Sequence, residues 1–346
     1  MSLLLSGIAW GQGVATRPAT APAVANASLA PALIVVIGAA GDPEFLDVFT
    51  QSAERWADAG AKAHAQTVVI GRKPAEAGAS ANPTEKEQLR AALEAQSRTG
   101  RSPLWLVFIG HGTFDGREAK INLRGPDVSQ NELFDWLKPF SRPVAVIDCT
   151  SASAPFLTKL SVKGANRVIV TATRSGSEIN YARFGMFLSQ SIADPAADLD
   201  KDGQTSLLEA FLAASHRTAE FYKTESRLAT EHALLDDNGD ALGTPADFFD
   251  GIRATKAARN GASVDGPRAH QWVLVQTAEE LALSPEQRDE RAALERQIEA
   301  LRAQKASMPE NAYYTRLDGL MLRLARVYAG EVPKAAPPAT MPTMAP

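Results

Sequence analysis

The sequence predicts an α/β fold built on a mainly parallel β-sheet with helices on both faces, and three observations carry that expectation. Apolar runs bounded by Gly, Pro or polar residues recur in the first half, as in Ala32-Leu-Ile-Val-Val-Ile37, Leu104-Trp-Leu-Val-Phe-Ile109 and Val144-Ala-Val-Ile147. Such runs, apolar without alternation, read as strands buried on both faces. Amphipathic segments of helical period separate them, and strand–helix alternation favours a parallel sheet. The chain has 346 residues and is 45% hydrophobic, enough for a sizeable core.

The elements follow in order. After the first strand, Gly38-Ala-Ala-Gly-Asp-Pro43 turns into an amphipathic helix over 44–59. Its glycines lack the GxGxxG spacing of a dinucleotide site and read as a plain strand-to-helix turn. Gln66–Ile70 is the second strand, and 71–82 is a polar loop. Pro83-Thr-Glu-Lys-Glu87 opens a helix to about 97, with proline in the first turn and acids after it. The third strand ends at His111, and residues 112–116 and 120–123 form a small hairpin. Ser129-Gln-Asn-Glu132 has the capping-box pattern and opens a helix to about 137. The fourth strand delivers Cys149; a helix over 153–160, a strand over 166–172 and a helix over 181–192 follow.

Beyond Ser215 this rhythm stops. The expectation is a helix over 220–235, a turn-rich loop over 236–250 and a late strand over 270–276. Residues 284–305 and 311–328 predict a C-terminal helical hairpin, broken at Met308-Pro309. Its charged outer positions suit either a partner surface or two solvated helices packed on the main domain. The chain thus divides into a disordered leader (1–31), an α/β domain (32–222), an extension of it (223–282), the hairpin (283–330) and a Pro/Ala-rich disordered tail (331–346).

Composition excludes several functions. A net charge of −4 gives no basic footprint for nucleic acid. A single cysteine excludes an intramolecular disulfide framework and a multi-cysteine zinc site. Leu3-Leu-Leu5 is too short to span a membrane, and no other segment approaches that length. The leader lacks a basic n-region, so a signal remnant with a periplasmic or secreted product and a merely floppy terminus on a cytoplasmic one both stay open.

His111 and Cys149 each follow an apolar strand. Ligands of open α/β sheets bind outside the carboxyl ends of the strands. Neighbouring strands ending this way bring a base and a thiol to one crevice, where the imidazole raises the thiolate fraction.

The two blocks, apolar-His111-Gly112 and Ile147-Asp-Cys-Thr-Ser-Ala-Ser153, resemble those of the caspase-like cysteine peptidases, and most of all the legumain-type branch in a bacterial form. The likeness covers about Leu33 to Leu212. It implies a caspase-like sheet, a peptide or protein substrate, Cys149 as nucleophile and His111 as the acid–base partner. It also implies an oxyanion hole made by the N–H groups of Gly112 and Cys149. The specificity loop would be Ala172-Thr-Arg-Ser-Gly-Ser-Glu-Ile-Asn180, with Arg174, Ser177 and Glu178 as pocket residues. Arg174 would select an acidic side chain and Glu178 a basic or amide one, or the two pair with each other. Legumains carry an Asn-Tyr-Arg segment after the first strand, where this chain reads Asp42-Pro-Glu-Phe45. A catalytically silent binding or scaffold protein on the same fold is the alternative expectation.

A second motif is independent of the first. Asp198-Leu-Asp-Lys-Asp-Gly-Gln-Thr-Ser-Leu-Leu-Glu209 fits D-x-D-x-D-G-x5-E throughout. Asp198, Asp200 and Asp202 fill ligand positions one, three and five, Gln204 offers its carbonyl at seven, and Glu209 stands at twelve. Crowded aspartates repel one another unless a hard cation lies between them, so the motif predicts one Ca2+ site. Asp236, Asn238 and Asp240 echo the spacing, with Asp247 at twelve and Ala241 in place of the turn glycine. This is either a second, weak metal site or an Asx turn. His64, His216 and His270 lack partners at ligand spacing and read as structural. Glu231-His232 reads as a ligand pair or as a surface histidine.

Overall fold

The computed structural model describes residues 30–72, 83–256 and 263–330. The expected tail, the leader apart from Ala30 and Pro31, and most of the 71–82 loop lie outside them. In chain order the first half runs β1 (Ala32–Ile37), α1 (Pro43–Lys62), β2 (Gln66–Ile70), α2 (Glu85–Glu94) and β3 (Leu104–Ile109). A small antiparallel sheet follows, of β4 (Gly112–Phe114), β5 (Ala119–Ile121) and β6 (Val128–Ser129). Then come α3 (Gln130–Leu137), β7 (Val144–Asp148), α4 (Ala154–Leu160), β8 (Arg167–Thr171), α5 (Phe184–Ser191), α6 (Leu207–Thr224) and β9 (Leu234–Asp236). The remainder is a β10–β11 hairpin (Phe249–Asp250, Arg253–Ala254), α7 (Pro267–His270), α8 (Ala278–Ala282), α9 (Pro285–Ala303) and α10 (Glu310–Tyr328).

The main sheet has the order β2-β1-β3-β7-β8-β9, and all its pairs are parallel except β8–β9. The order turns back between β1 and β3, the kind of switch point at which open α/β sheets bind ligands. Continuous apolar runs make the strands because both faces are covered. Leu33, Val35, Trp105, Val107, Ala145, Ile147 and Cys149 pack under α1, α5 and α6 through Phe49, Trp56, Phe184, Leu188 and Phe211. Ile34, Val36, Leu106, Phe108, Val144 and Val146 pack under α2, α3 and α4 through Leu89, Leu133, Phe156 and Leu160. Capping boxes at Thr84 and Ser129 start α2 and α3, so local sequence and burial agree there. Among the described residues, no helix is long and apolar enough to cross a membrane.

Three expectations about the second half are corrected. The helix expected over 220–235 does not form beyond Thr224: 225–233 is loop, and α6 runs from Leu207 to Thr224. Ser206 and Glu209 form its capping box, so residues read as metal ligands also start a helix. The end of that expected helix, residues 234–236, is instead β9, the antiparallel edge strand paired with β8. The late strand over 270–276 does not form. Pro267 starts the one-turn α7, and Val273 makes only an isolated bridge with Ser206.

Candidate functional site

The register of β3 against β7 sets Phe108 opposite Asp148, so His111 and Cys149 leave the carboxyl ends of adjacent strands. Both lie on the α1/α5 face. Cys149 belongs to the core layer on that side. The His111 ring packs edge-on against Phe45 and Phe49 of α1 at 4.8 and 5.4 Å, and lies 6.1 Å from Tyr181. Its Nε2 lies 3.2 Å from the Ala40 carbonyl oxygen, in the turn after β1. A carbonyl only accepts, so Nε2 carries the proton and Nδ1 is the basic nitrogen of the neutral ring. Burial holds His111 below the usual imidazole range, opposed by its bond to Ala40.

The thiol is enclosed. Cys149 is only 3% exposed, and Gly185, at the start of α5, lies against it. A methyl at Gly185 would come 3.1 Å from Sγ and collide with the Cys149 Cβ. Burial pushes the thiol well above its ordinary range, and the Asp148 and Glu231 carboxylates add to the effect. Burial thus favours the neutral form of both groups.

Both expected oxyanion donors are occupied. The Gly112 N–H donates to Ser151 Oγ at 3.0 Å, and the Cys149 N–H donates to the Phe108 carbonyl at 3.0 Å. Asp148, 0% exposed, caps the turn after Cys149 by accepting from Thr150 N and Thr150 Oγ1. Its other oxygen, Oδ2, is buried without a partner, and burial pushes its pKa up to about 7.

The specificity residues end up as a structural cluster. Arg174 Nε lies 3.3 Å from Glu178 Oε1. Glu178 also accepts from the backbone N–H groups of Arg174 and His232 and lies 2.6 Å from His232 Nδ1. Ser177 Oγ is exposed and shares a hydrogen bond with Ser175 Oγ. Of Glu231 and His232, read as a ligand pair or a surface histidine, Glu231 is buried and His232 part-exposed, and both bind the segment that covers Cys149.

The acidic loop keeps its motif geometry. Asp198, Asp200 and Asp202 bring carboxylate oxygens within 4.8 Å of one another, and a carboxylate oxygen each of Asp200 and Glu209 and a ring nitrogen of His270 lie equally close together. Lys201 and Gly203 adopt positive φ, +64° and +91°, and the side chains of Asp198, Asp200 and Asp202 accept from backbone N–H groups inside the loop. Glu209 is fully engaged, accepting from Leu199 N, Asp200 N, Ser206 N and Ser206 Oγ, so a cation at position twelve requires it to turn. The Gln204 side-chain oxygen accepts from Thr277 N. His270, missed by sequence spacing, puts Nε2 3.0 Å from Asp200 Oδ2. Its burial disfavours charge, but Asp200, Glu209 and Glu295 outweigh that and raise its pKa.

The second acidic stretch reproduces the first bond for bond. Asp236 accepts from the N–H groups of Gly239 and Ala241, Asn238 from Asp240, and Asp240 from Leu242. Gly239 and Ala241 have φ +81° and +64°. The expected twelfth residue, Asp247, is exposed and takes no such part. Asp265 accepts instead from Asp237 N and Asn238 N, as Glu209 does from Leu199 and Asp200. Sequence spacing could not find it, because Asp265 comes from beyond the loop.

No protein-family model matches the chain, and no curated protein matches it.

Proposed function

We propose that the chain is a caspase-like cysteine endopeptidase, related in design to the legumain type, whose His111–Cys149 pair rests in a closed form. The observation that carries the reading is the delivery of His111 and Cys149 from the carboxyl ends of the adjacent parallel strands β3 and β7 to one face, next to the β1/β3 switch point. In the reaction, the Cys149 thiol passes its proton to His111 and its sulfur attacks the peptide carbonyl carbon. The C–N bond then breaks as His111 protonates the leaving amine, and water releases the acyl group from sulfur. The Gly112 N–H becomes an oxyanion donor once Ser151 turns away. The test is cleavage of a mixed peptide library, read by mass spectrometry. Cleavage that is lost in both Cys149→Ala and His111→Ala supports the reading; cleavage that survives either change, or none by the wild type, refutes it.

A second reading, a silent binding module, is favoured by the enclosed thiol and the two occupied oxyanion donors. It predicts an intact fold that neither cleaves peptides nor reacts at sulfur.

We also propose that the 198–209 loop holds Ca2+ through Asp198, Asp200, Asp202, the Gln204 carbonyl and a turned Glu209. A hard cation relieves the repulsion among the three aspartates. Calcium should raise the melting temperature of the wild type and leave Asp200→Asn unmoved; equal response of both would remove the site.

A further inference from the structure

Cys149 is covered by a strap rather than by the sheet itself. The strap runs from Glu178 to Gly185, and its features all bear on the crevice. Tyr181 stands edge-on to His111, Ala182 is buried in the core, and Gly185 lies on the thiol. At its start, the Glu178 carbonyl accepts from Ala152 N, in the turn that follows Cys149. Its two ends are tied down by two consecutive residues of the segment before β9. Glu231 accepts from Arg183 N at 2.8 Å and Phe184 N at 2.9 Å, the first free donors of α5. His232 holds Glu178 through its backbone N–H at 3.2 Å and through Nδ1 at 2.6 Å.

We propose that the Glu231-His232 dipeptide is the clasp of the site, positioning the 178–185 strap over Cys149 and so controlling access to the thiol. The inference deepens the peptidase reading and rests on it. Glu231 is buried and further fixed by the Tyr222 hydroxyl at 2.9 Å, so the clasp has a rigid base on α6. His232 is part-exposed, which leaves one of the two ties within reach of solvent. Releasing either tie frees one end of a segment that otherwise has to move as a whole. Local opening of this kind exposes a buried thiol without unfolding the domain. It also takes the α5 N-terminus, now neutralised by Glu231, away from its cap, and free N-terminal N–H groups favour a thiolate.

The experiment is the rate of Cys149 alkylation by iodoacetamide in the full chain at near-neutral pH. Wild type, Glu231→Gln and His232→Ala are compared, each with and without His111→Ala. The clasp predicts alkylation about tenfold faster in both clasp variants, the scale expected for one lost hydrogen bond to a charged group. It predicts a gain of similar factor, from a lower starting rate, when His111 is also removed, because access to the thiol does not depend on the imidazole. Equal rates in wild type and clasp variants would overturn the clasp; the peptidase reading would then be judged by wild type against His111→Ala alone. A gain matched by weakening the core far from the strap would overturn it too, because it would report general unfolding. Leu160→Ala, which weakens the core on the opposite face of the sheet, supplies the pattern for that outcome.

Discussion

The two acidic loops of this molecule share a backbone and differ in what surrounds it. In both, an aspartate at position one accepts from the N–H groups of positions four and six, and residues at three and five accept two positions further on. In both, a carboxylate from outside the turn accepts from positions two and three. The first loop keeps Asp200 and Asp202 exposed, and among the described residues His270 is the only side chain hydrogen-bonded to either. The second is enclosed: Ser161 donates to Asp236, and Thr244 donates to Asp265 at 2.6 Å. The same hydrogen-bond frame thus serves a loop with free charge to spend on a cation and a loop whose charges are consumed by the fold. Position five is aspartate in both loops, so burial rather than that residue marks the difference.

Ways to break that comparison begin with the enclosed carboxyls, to which Asp148 also belongs. Its pKa is pushed from 3.8 to about 7 by burial, so the fold favours the neutral form. Its share of stability is complete below the ordinary carboxyl value and is lost as pH rises toward about 7, on the order of 4 kcal/mol in all. Urea unfolding across that range should show the decline in wild type and a flatter profile in Asp148→Asn; matching profiles would place the charge elsewhere. Asp265→Ala should cost about 3 kcal/mol, because two N–H groups and the Thr244 hydroxyl lose their acceptor in a buried site. Added calcium should not restore it.

The first loop should behave the other way. Calcium at a hundred times its dissociation constant should add about 2.7 kcal/mol to the wild type. Asp198→Asn should lose that increment while changing the calcium-free stability little. The smallest effects lie at position six. Gly203→Ala, forced to φ +91°, should cost about 1 kcal/mol, whereas Ala241→Gly, relieving φ +64°, should be neutral or stabilising by roughly 0.5 kcal/mol. Opposite signs in thermal melting would support the shared frame; a cost at both positions would break it.

The sheet was legible because its strands are apolar on both faces and its helices announce themselves with caps at Thr84 and Ser129. β9 was not, since three residues carry no period and only pairing with β8 makes them a strand. The positions of His111 and Cys149 at strand ends could be read from the sequence, as could the aspartate spacing. The state of the site could not. Gly185 reaches Cys149, and Glu231 and His232 reach the segment over it, from distant parts of the chain, and only the tertiary fold puts the Ser151 hydroxyl on the Gly112 N–H. His270 and Asp265 escaped notice for the same reason: the acidic loops are completed by residues outside their own motifs.

The loops stabilise the domain, but the central claim concerns the thiol. The most direct measurement is the pH dependence of Cys149 alkylation in wild type and in His111→Ala. The account predicts a wild-type midpoint above the free-thiol value of about 8.5, because burial holds the enclosed thiol neutral, and a further upward shift when the imidazole is removed. A midpoint that ignores His111, or a thiol that reacts only when the chain unfolds, would contradict it.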